Sequence, residues 1–422
     1  MKLSDYHKNF LTLLSGNGLA QVIPFAIGPI LSRLYTPEEF GSYSNFMAIM
    51  GLFVIVACGR MELAIMLPQL KEDALDVVRK ALFYLKWILL ISLGCGLFLS
   101  DTLSQLFESP DIKGYLFMLP IFVLINGIYL IAYNWLVRMS KYKMLASSNI
   151  VMAAVMAVVN VGMGFMGFGV AGLILANLIG MATLLVMFHK TIAELWKGVK
   201  ARKGMPLTEV STRYRDFPRV NMAHAFFDVA NQQFLFNLIF TSLFGVMAMG
   251  FYALSARYVR APIRSFNASI AQVYYSEASA LVREGKAFSH LMLRSVRTML
   301  VFAIPFLVVL LLFAPDLFSW FFGEEWHEAG LYARALSPAI CSQFLVSPVS
   351  MTPIICSRQK SFFIWSVSIQ VSALVLIWFL GSQLSWTVMD CLWSYSVLIS
   401  LFSFATLAWF YQISSKNIKA YE

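Results

Sequence analysis

Runs of about 20 apolar residues, separated by short polar turns, recur along the whole chain, and that length is what an α-helix needs to cross a bilayer core. The punctuation predicts twelve such segments, at approximately 9–34, 43–67, 81–100, 115–137, 145–165, 169–189, 218–242, 248–275, 292–315, 330–356, 361–380 and 388–411. The first run is too long for a signal-peptide core and no small-residue cleavage site follows it, so it is expected to remain as the first span. The longest polar stretch, 191–217, divides the pattern into six spans and six. This predicts an N-terminal lobe at 1–190, a cytoplasmic linker loop at 191–217 and a C-terminal lobe at 218–422. Corresponding turns echo each other: Phe40-Gly41-Ser42-Tyr43 matches Met249-Gly250-Phe251-Tyr252, and Leu106-Phe107-Glu108 matches Phe321-Phe322-Gly323-Glu324. Even numbers of spans separate each pair, so the repeat is parallel, as in transporters whose halves rock about a central cavity. The expected fold class is an all-α polytopic membrane protein with about 12 transmembrane helices in two six-helix lobes around a central cavity.

Composition agrees with this class and charge adds an orientation. Of 422 residues, 59% are hydrophobic and 13% charged, and the mean hydropathy is +0.72. With both termini in the cytoplasm, Lys and Arg fall inside at every second connection, from Lys71, Arg79 and Lys80 to Lys416 and Lys419. The opposite connections hold Lys113 as their only Lys or Arg, among acids such as Glu38, Glu39, Asp101, Glu324 and Glu325. The net charge of +10 is therefore a statement about orientation, and nucleic acid is not an expected partner. Five cysteines, odd in number and without metal-ligand spacing, read as small buried hydrophobes.

The chemistry concentrates in the eighth span. There Arg257, Arg260 and Arg264, at spacings of three and seven, share one helical face near Pro262. Arginine at the centre of a membrane helix costs about 2.5–3.5 kcal/mol on insertion scales, so it persists where it meets protein, water or an anionic ligand. The face reads as a cavity lining for a negatively charged group. Arg257 and Arg260 are its centre, and Arg264 is equally suited to snorkel to the headgroups. Arg60, two residues before Glu62, is a further candidate for substrate contact. Residues two apart on a helix do not face each other, so the two are not expected to pair, and structural pairing with loop charges such as Lys71 or Arg79 stays open. Arg33 and Arg334 read as structural anchors. The seventh span carries a polar stripe of Asn221, His224, Asp228 and Gln232, with a thinner counterpart in Asn17 and Gln21 of the first. Asp228 is open to three readings: a counter-ion for arginine, a proton or sodium site, or polar packing.

Several stretches resemble a known family. NFLTLLSGNGLAQVIPFAIGPILSRLYTPEEFGSY near the start, GRMELAIMLPQLKEDA after it, ARYVRAPI and AQVYYSEAS in the eighth span, and LFSWFFGEEWHEAG are similar to the polysaccharide-biosynthesis flippases of the multidrug/oligosaccharidyl-lipid/polysaccharide superfamily, the Wzx-type exporters. The resemblance covers essentially the whole chain. It implies twelve helices in two lobes, and translocation of an undecaprenyl-diphosphate-linked oligosaccharide across the bacterial inner membrane by alternating access. It also implies membrane lipids and other surface-polysaccharide assembly proteins as partners, and leaves coupling to a proton or sodium gradient open. No cofactor is expected. The chemistry suits such a cargo, because arginine forks pair bidentately with phosphate oxygens.

Other signals carry less. The Gly162-x-Gly164-x-x-Gly167 pattern lacks the strand-turn-helix setting of a dinucleotide site and reads as helix packing or a turn. A phosphate-binding Gly-rich loop with its Lys, a zinc-protease motif and a nucleophile elbow are all absent from the sequence. The alternatives are a drug or cation exporter, a peptidoglycan-precursor flippase, or a membrane polymerase of repeat units. Short outward connections count against the polymerase, and arginine-rich helices count against a cationic cargo.

Overall fold

In the computed structural model the described residues are 3–201, 204–356 and 358–415; the side chains at 3–17, 19, 262–269, 272 and 283 lie outside the description. The described secondary structure is helical. In chain order the α-helices are α1 (Leu3–Leu34), α2 (Pro37–Val56), α3 (Met61–Ala64), α4 (Lys71–Phe98), α5 (Ser100–Leu106), α6 (Lys113–Leu116), α7 (Leu119–Arg138), α8 (Tyr142–Phe165), α9 (Val170–Met187), α10 (His189–Ala201), α11 (Leu207–Arg213), α12 (Met222–Val229), α13 (Phe236–Arg283), α14 (Ser289–Phe322), α15 (His327–Val346), α16 (Thr352–Ile355), α17 (Gln359–Gln383) and α18 (Val388–Ser414). Among the described residues ten stretches are long and apolar enough to cross a membrane, and α1 contains the shorter apolar segment Ala20–Leu34. One of the ten, Phe217–Ala261, runs for 45 residues, about twice the length a span needs. Gly245 breaks it at φ 83, ψ 167, a conformation that glycine adopts without a Cβ penalty. Counting the broken stretch as two parts, and with Ala20–Leu34 lying in the first expected segment, these stretches fall on the segments expected from hydropathy, and the all-α multi-span class holds.

The chain forms two compact units, Met1–Met247 and Ala248–Glu422. The seventh span belongs with the first unit, whereas the hydropathy division at 217 assigned it to the second half. A buried polar network explains the attachment. Asn45 of α2 donates through Nδ2 to the Phe107 carbonyl (3.3 Å) and to Ser109 Oγ (3.0 Å). Its Oδ1 accepts from Asn237 Nδ2 (3.4 Å) and Thr241 Oγ1 (3.2 Å), both on the seventh span. Asn237 also donates to the Ser44 carbonyl and hydroxyl. In an apolar surround such groups must find partners. A Cβ at Gly41 would overlap the Val246 carbonyl, so α2 and the end of the seventh span meet at backbone distance. The start of α2 is fixed by a capping box, in which Thr36 Oγ1 accepts from the Glu39 amide and Glu39 accepts from the Thr36 amide, with Pro37 in the first turn.

The segment 191–217 is not a loop. Most of it folds into α10 and α11, which lie on α4. Leu195 and Val210 join a core with Ala74, Val77, Val78 and Ala81 of α4. Asp76 Oδ2 accepts from the Met205 amide at 3.2 Å and Arg79 donates to the Met205 carbonyl, so both backbone polar groups of Met205, in the bend between the two helices, are held by α4. A hydropathy pattern reports burial in lipid or protein alike, and charges on the outward faces of these helices hide their docked faces.

The second unit is built on α14, α15 and α18, with α17 outside α18. Gly330 of α15 lies against the backbone of Ala314 and Pro315, a small-residue crossing that lets helix axes approach closely. Both turns of the second echoed pair reverse through a positive-φ residue, Glu108 (φ 48) and Gly323 (φ 108). The glycine pattern at 162–167 is the end of α8 and a turn: Gly164 packs on Leu34 and Tyr35, and Gly167 has φ 71. The five cysteines are unpaired thiols.

Candidate functional site

The second unit carries the eighth-span arginines, on the part of α13 that follows Gly245. Arg257 is exposed, with its guanidinium 5.9 Å from the centre of the Tyr258 ring. Tyr258 in turn packs edge-on against Phe322, at 4.6 Å between centroids. Arg260 is half-buried, and its charge acts on the hydroxyl of Tyr252, two turns earlier on the same helix. Tyr395 of α18 lies within the electrostatic reach of both. Arg260 therefore sits in a tyrosine setting, with the five donors of a guanidinium to offer. Arg264 falls among the side chains outside the description. Arg334 donates to the Leu312 carbonyl of α14 at 3.3 Å, an anchoring contact between α15 and its neighbour.

The first unit carries the other candidates. The second span was expected to continue to 67, but its helix ends at Val56, and Gly59 (φ 61) and Arg60 (φ 58) are both left-handed. That break reverses one expectation. Arg60 and Glu62 do form an ion pair, at 3.7 Å, because the helical argument that keeps residues two apart from facing each other does not apply to a left-handed residue. Glu62 is 3% exposed and Arg60 26%. Glu62 Oε2 and Arg60 Nε are buried without a hydrogen-bond partner, so each head is only partly satisfied by the other. The turn after α3 is held by Arg138 of α7, which donates to the carbonyls of Ile65, Met66, Gln69 and Leu70. Arg79, the loop charge considered for Glu62, is engaged with Asp76 at 3.6 Å.

The seventh span begins with a π-helical turn, Phe217–Asn221, and carries another at Ala230–Leu235, either side of α12. Such turns concentrate at functional positions. The first packs on α3 and α12 packs on α2, which places the short helix that follows Arg60 beside the start of the polar stripe. Asn221, His224 and Gln232 are exposed and Asp228 half-buried. Gln232 Nε2 donates to Asp228 Oδ1 at 2.6 Å, so these two share a face as the spacing predicts. The side against α2 is different: Val229 and Gln233 meet it at Gly51. Exposed Gln21 is on α1, which lies along α8, and the Asn17 side chain is outside the description. Arg33 donates to the Pro29 carbonyl at 2.6 Å, an anchor within its own helix.

Among the described residues no three His, Cys, Asp or Glu side chains gather as a metal site. Sequence reasoning missed Tyr252 and Tyr395 beside Arg260, and the Asn45 network. A lone Asn in an apolar run was the available signal for Asn45 and Asn237. Nothing in the local sequence marks Tyr395.

Comparison with known proteins supplies the context. The structure of the lipid II flippase MurJ in an inward closed conformation superposes with a TM-score of 0.73 at 14% identity, covering 96% of this chain and 90% of that one. A multidrug resistance MATE family transporter of the MOP superfamily, in an inward-facing conformation, gives 0.67 at 16% identity, covering 96% and 94%. The MATE multidrug transporter DinF-BH gives 0.63 at 16% identity, covering 99% and 97%. At such identities these likenesses show a shared fold. A search of the curated proteins found no match. A family described as polysaccharide biosynthesis protein matches residues 30–330, more than two thirds of the sequence, and the chain is a multi-pass membrane member of that polysaccharide biosynthesis family with a flippase- and exporter-type fold.

Proposed function

We propose that the protein is a flippase that carries an undecaprenyl-diphosphate-linked oligosaccharide, an O-antigen or other surface-polysaccharide repeat unit, across the bacterial inner membrane by alternating access, with both termini in the cytoplasm. The observation that carries this reading is membership of a polysaccharide biosynthesis family in a chain whose fold is that of flippases and exporters. A polysaccharide pathway needs its hydrophilic, lipid-anchored intermediate moved across a bilayer, and a transporter fold supplies movement rather than bond chemistry. Arg257 and Arg260 are the proposed diphosphate ligands. The hydroxyls of Tyr252 and Tyr395 give Arg260 a polar setting in the second unit. Arg264 and Arg60 are proposed as auxiliary contacts. Asn17, Gln21, Asn221, His224, Asp228 and Gln232 are proposed as a polar lining, with the hydrogen-bonded Asp228–Gln232 pair the candidate site for coupling to a proton or sodium gradient. Membrane lipids and other assembly proteins are the proposed partners.

The test is deletion of the gene in its own host, followed by complementation with wild type, Arg257→Ala and Arg260→Ala. Loss of surface polymer, with single lipid-linked repeats held on the cytoplasmic leaflet, is the expected result, and neither variant should restore polymer although both reach the membrane. Single repeats on the outer leaflet would point to a polymerase. Altered drug tolerance with normal polymer would point to a multidrug exporter, and arrested cell-wall synthesis to a peptidoglycan-precursor flippase.

A further inference from the structure

The docked segment between the sixth and seventh spans presents a face that the proposed transport reaction does not use. α9, the sixth span, ends at Met187, and α10 starts at His189, after the single residue Phe188. The His189 ring stays within 2.7 Å of the Val186 carbonyl across that corner. The first turn of α10 is therefore at the level where the sixth span leaves the hydrocarbon. One side of α10 is occupied: Thr191 and Leu195 are buried, and Gly198 lies on the Leu75 side chain of α4. At 100° per residue, Lys190, Ala193, Lys197 and Lys200 fall within an arc of about 80° on the opposite side, with Trp196 some 40° beyond its edge. All five are exposed, Trp196 to 54%, and Lys200 Nζ lies 5.0 Å over the Trp196 ring. One acid, Glu194, adjoins the stripe.

We propose that this face of α10 is a docking surface for anionic phospholipid headgroups of the leaflet in which the sixth span ends. Three lysines in one stripe supply charge complementary to a phosphate layer. A tryptophan at the border between lysines and the docked side is amphipathic in the way headgroup-level side chains are. The lysine stems are long enough to reach along a surface while their ammonium groups stay hydrated. Because α10 is already folded on α4, the lipids meet an ordered face and no disorder-to-order cost opposes binding.

The full-length protein is to be compared in detergent by native mass spectrometry with added phosphatidylglycerol or phosphatidylcholine, and in nanodiscs of the same lipids. A lysine beside an anionic surface is worth roughly a fivefold change in affinity. Lys190→Gln/Lys197→Gln/Lys200→Gln should therefore weaken phosphatidylglycerol adducts on the order of 100-fold, while Lys141→Gln/Lys143→Gln, exposed lysines at another turn, should leave them unchanged. Retention of the adducts by the triple variant overturns the proposal, as does an equal loss in the control pair, which would mean a diffuse charge effect. A nitroxide at Ala193→Cys, with Cys95 and Cys356 replaced by Ser and all lysines kept, provides a second reading. Protection from a water-soluble relaxant in phosphatidylglycerol discs, and less in phosphatidylcholine, is expected. Equal aqueous access in both would mean a face open to solvent or to a protein partner, and would overturn it.

Discussion

Replacing Asn45 by Ala tests whether the polar network holds the seventh span in the first unit. Two magnitudes compete. If each contact left a buried orphan, four hydrogen bonds at about 1–3 kcal/mol apiece would sum to roughly 4–12 kcal/mol, comparable to the whole stability of a typical domain. The geometry is redundant, however. Ser109 Oγ still donates to the Phe107 carbonyl at 2.8 Å, and Asn237 Nδ2 keeps both Ser44 contacts at 3.1 Å. Only the Thr241 hydroxyl loses its recorded partner, and a threonine hydroxyl can turn back to its own helix. Interhelical hydrogen bonds in membrane proteins average about 0.6 kcal/mol with a maximum near 1.7. A loss of about 2 kcal/mol is therefore expected for Asn45→Ala, a factor of roughly 30 in the unfolding equilibrium. Thr241→Val should cost about 0.6 kcal/mol, and the double variant less than the sum. Unfolding in mixed micelles, followed by circular dichroism, gives the free energies, and hydrogen exchange at 236–242 shows whether the seventh span is the part released. An Asn45→Ala loss under about 0.5 kcal/mol, or strict additivity with Thr241→Val, would refute the network account; a loss above about 5 would show that orphaned groups, not redundancy, set the cost.

Gly41→Ala should cost about 1–3 kcal/mol, because its Cβ meets the Val246 carbonyl and not a movable side-chain tip; an unchanged melting temperature would mean that α2 and the seventh span can separate freely. Gly204→Ala drives a Cβ into the Asp76 carboxylate, and should speed proteolysis between 201 and 206 severalfold while shifting the melting temperature little; identical cleavage rates would show that the Asp76–Arg79 clamp does not secure the linker. Arg60→Ala leaves Glu62 buried and unpaired at a cost of about 3 kcal/mol or more, whereas Glu62→Gln leaves an arginine that is 26% exposed and can hydrate, at about 1 kcal/mol or less. Equal destabilisation by the two substitutions in thermal unfolding would contradict that asymmetry.

The sequence by itself determined the spans, because twenty consecutive apolar residues are a local property that a bilayer reads directly. It determined the break in the 45-residue stretch, since the punctuation between 242 and 248 coincides with the kink at Gly245. It also determined that arginines lie in the eighth span and a polar stripe in the seventh, where the Asp228–Gln232 hydrogen bond follows from their spacing alone. Tertiary structure decided which of these groups meet. Arg60 pairs with Glu62 only because the helix has already ended and Arg60 is left-handed, which no helical periodicity can anticipate. The linker lies on the third span through Asp76, Arg79 and Met205, residues whose charge and position read equally well as a solvated loop. The seventh span joins the first unit through Asn45, nearly two hundred residues before Asn237. Hydrophobic period is set by near neighbours in the chain, whereas a buried donor is satisfied by whichever acceptor the packed helices bring to it, and that identity exists only once the helices are assembled.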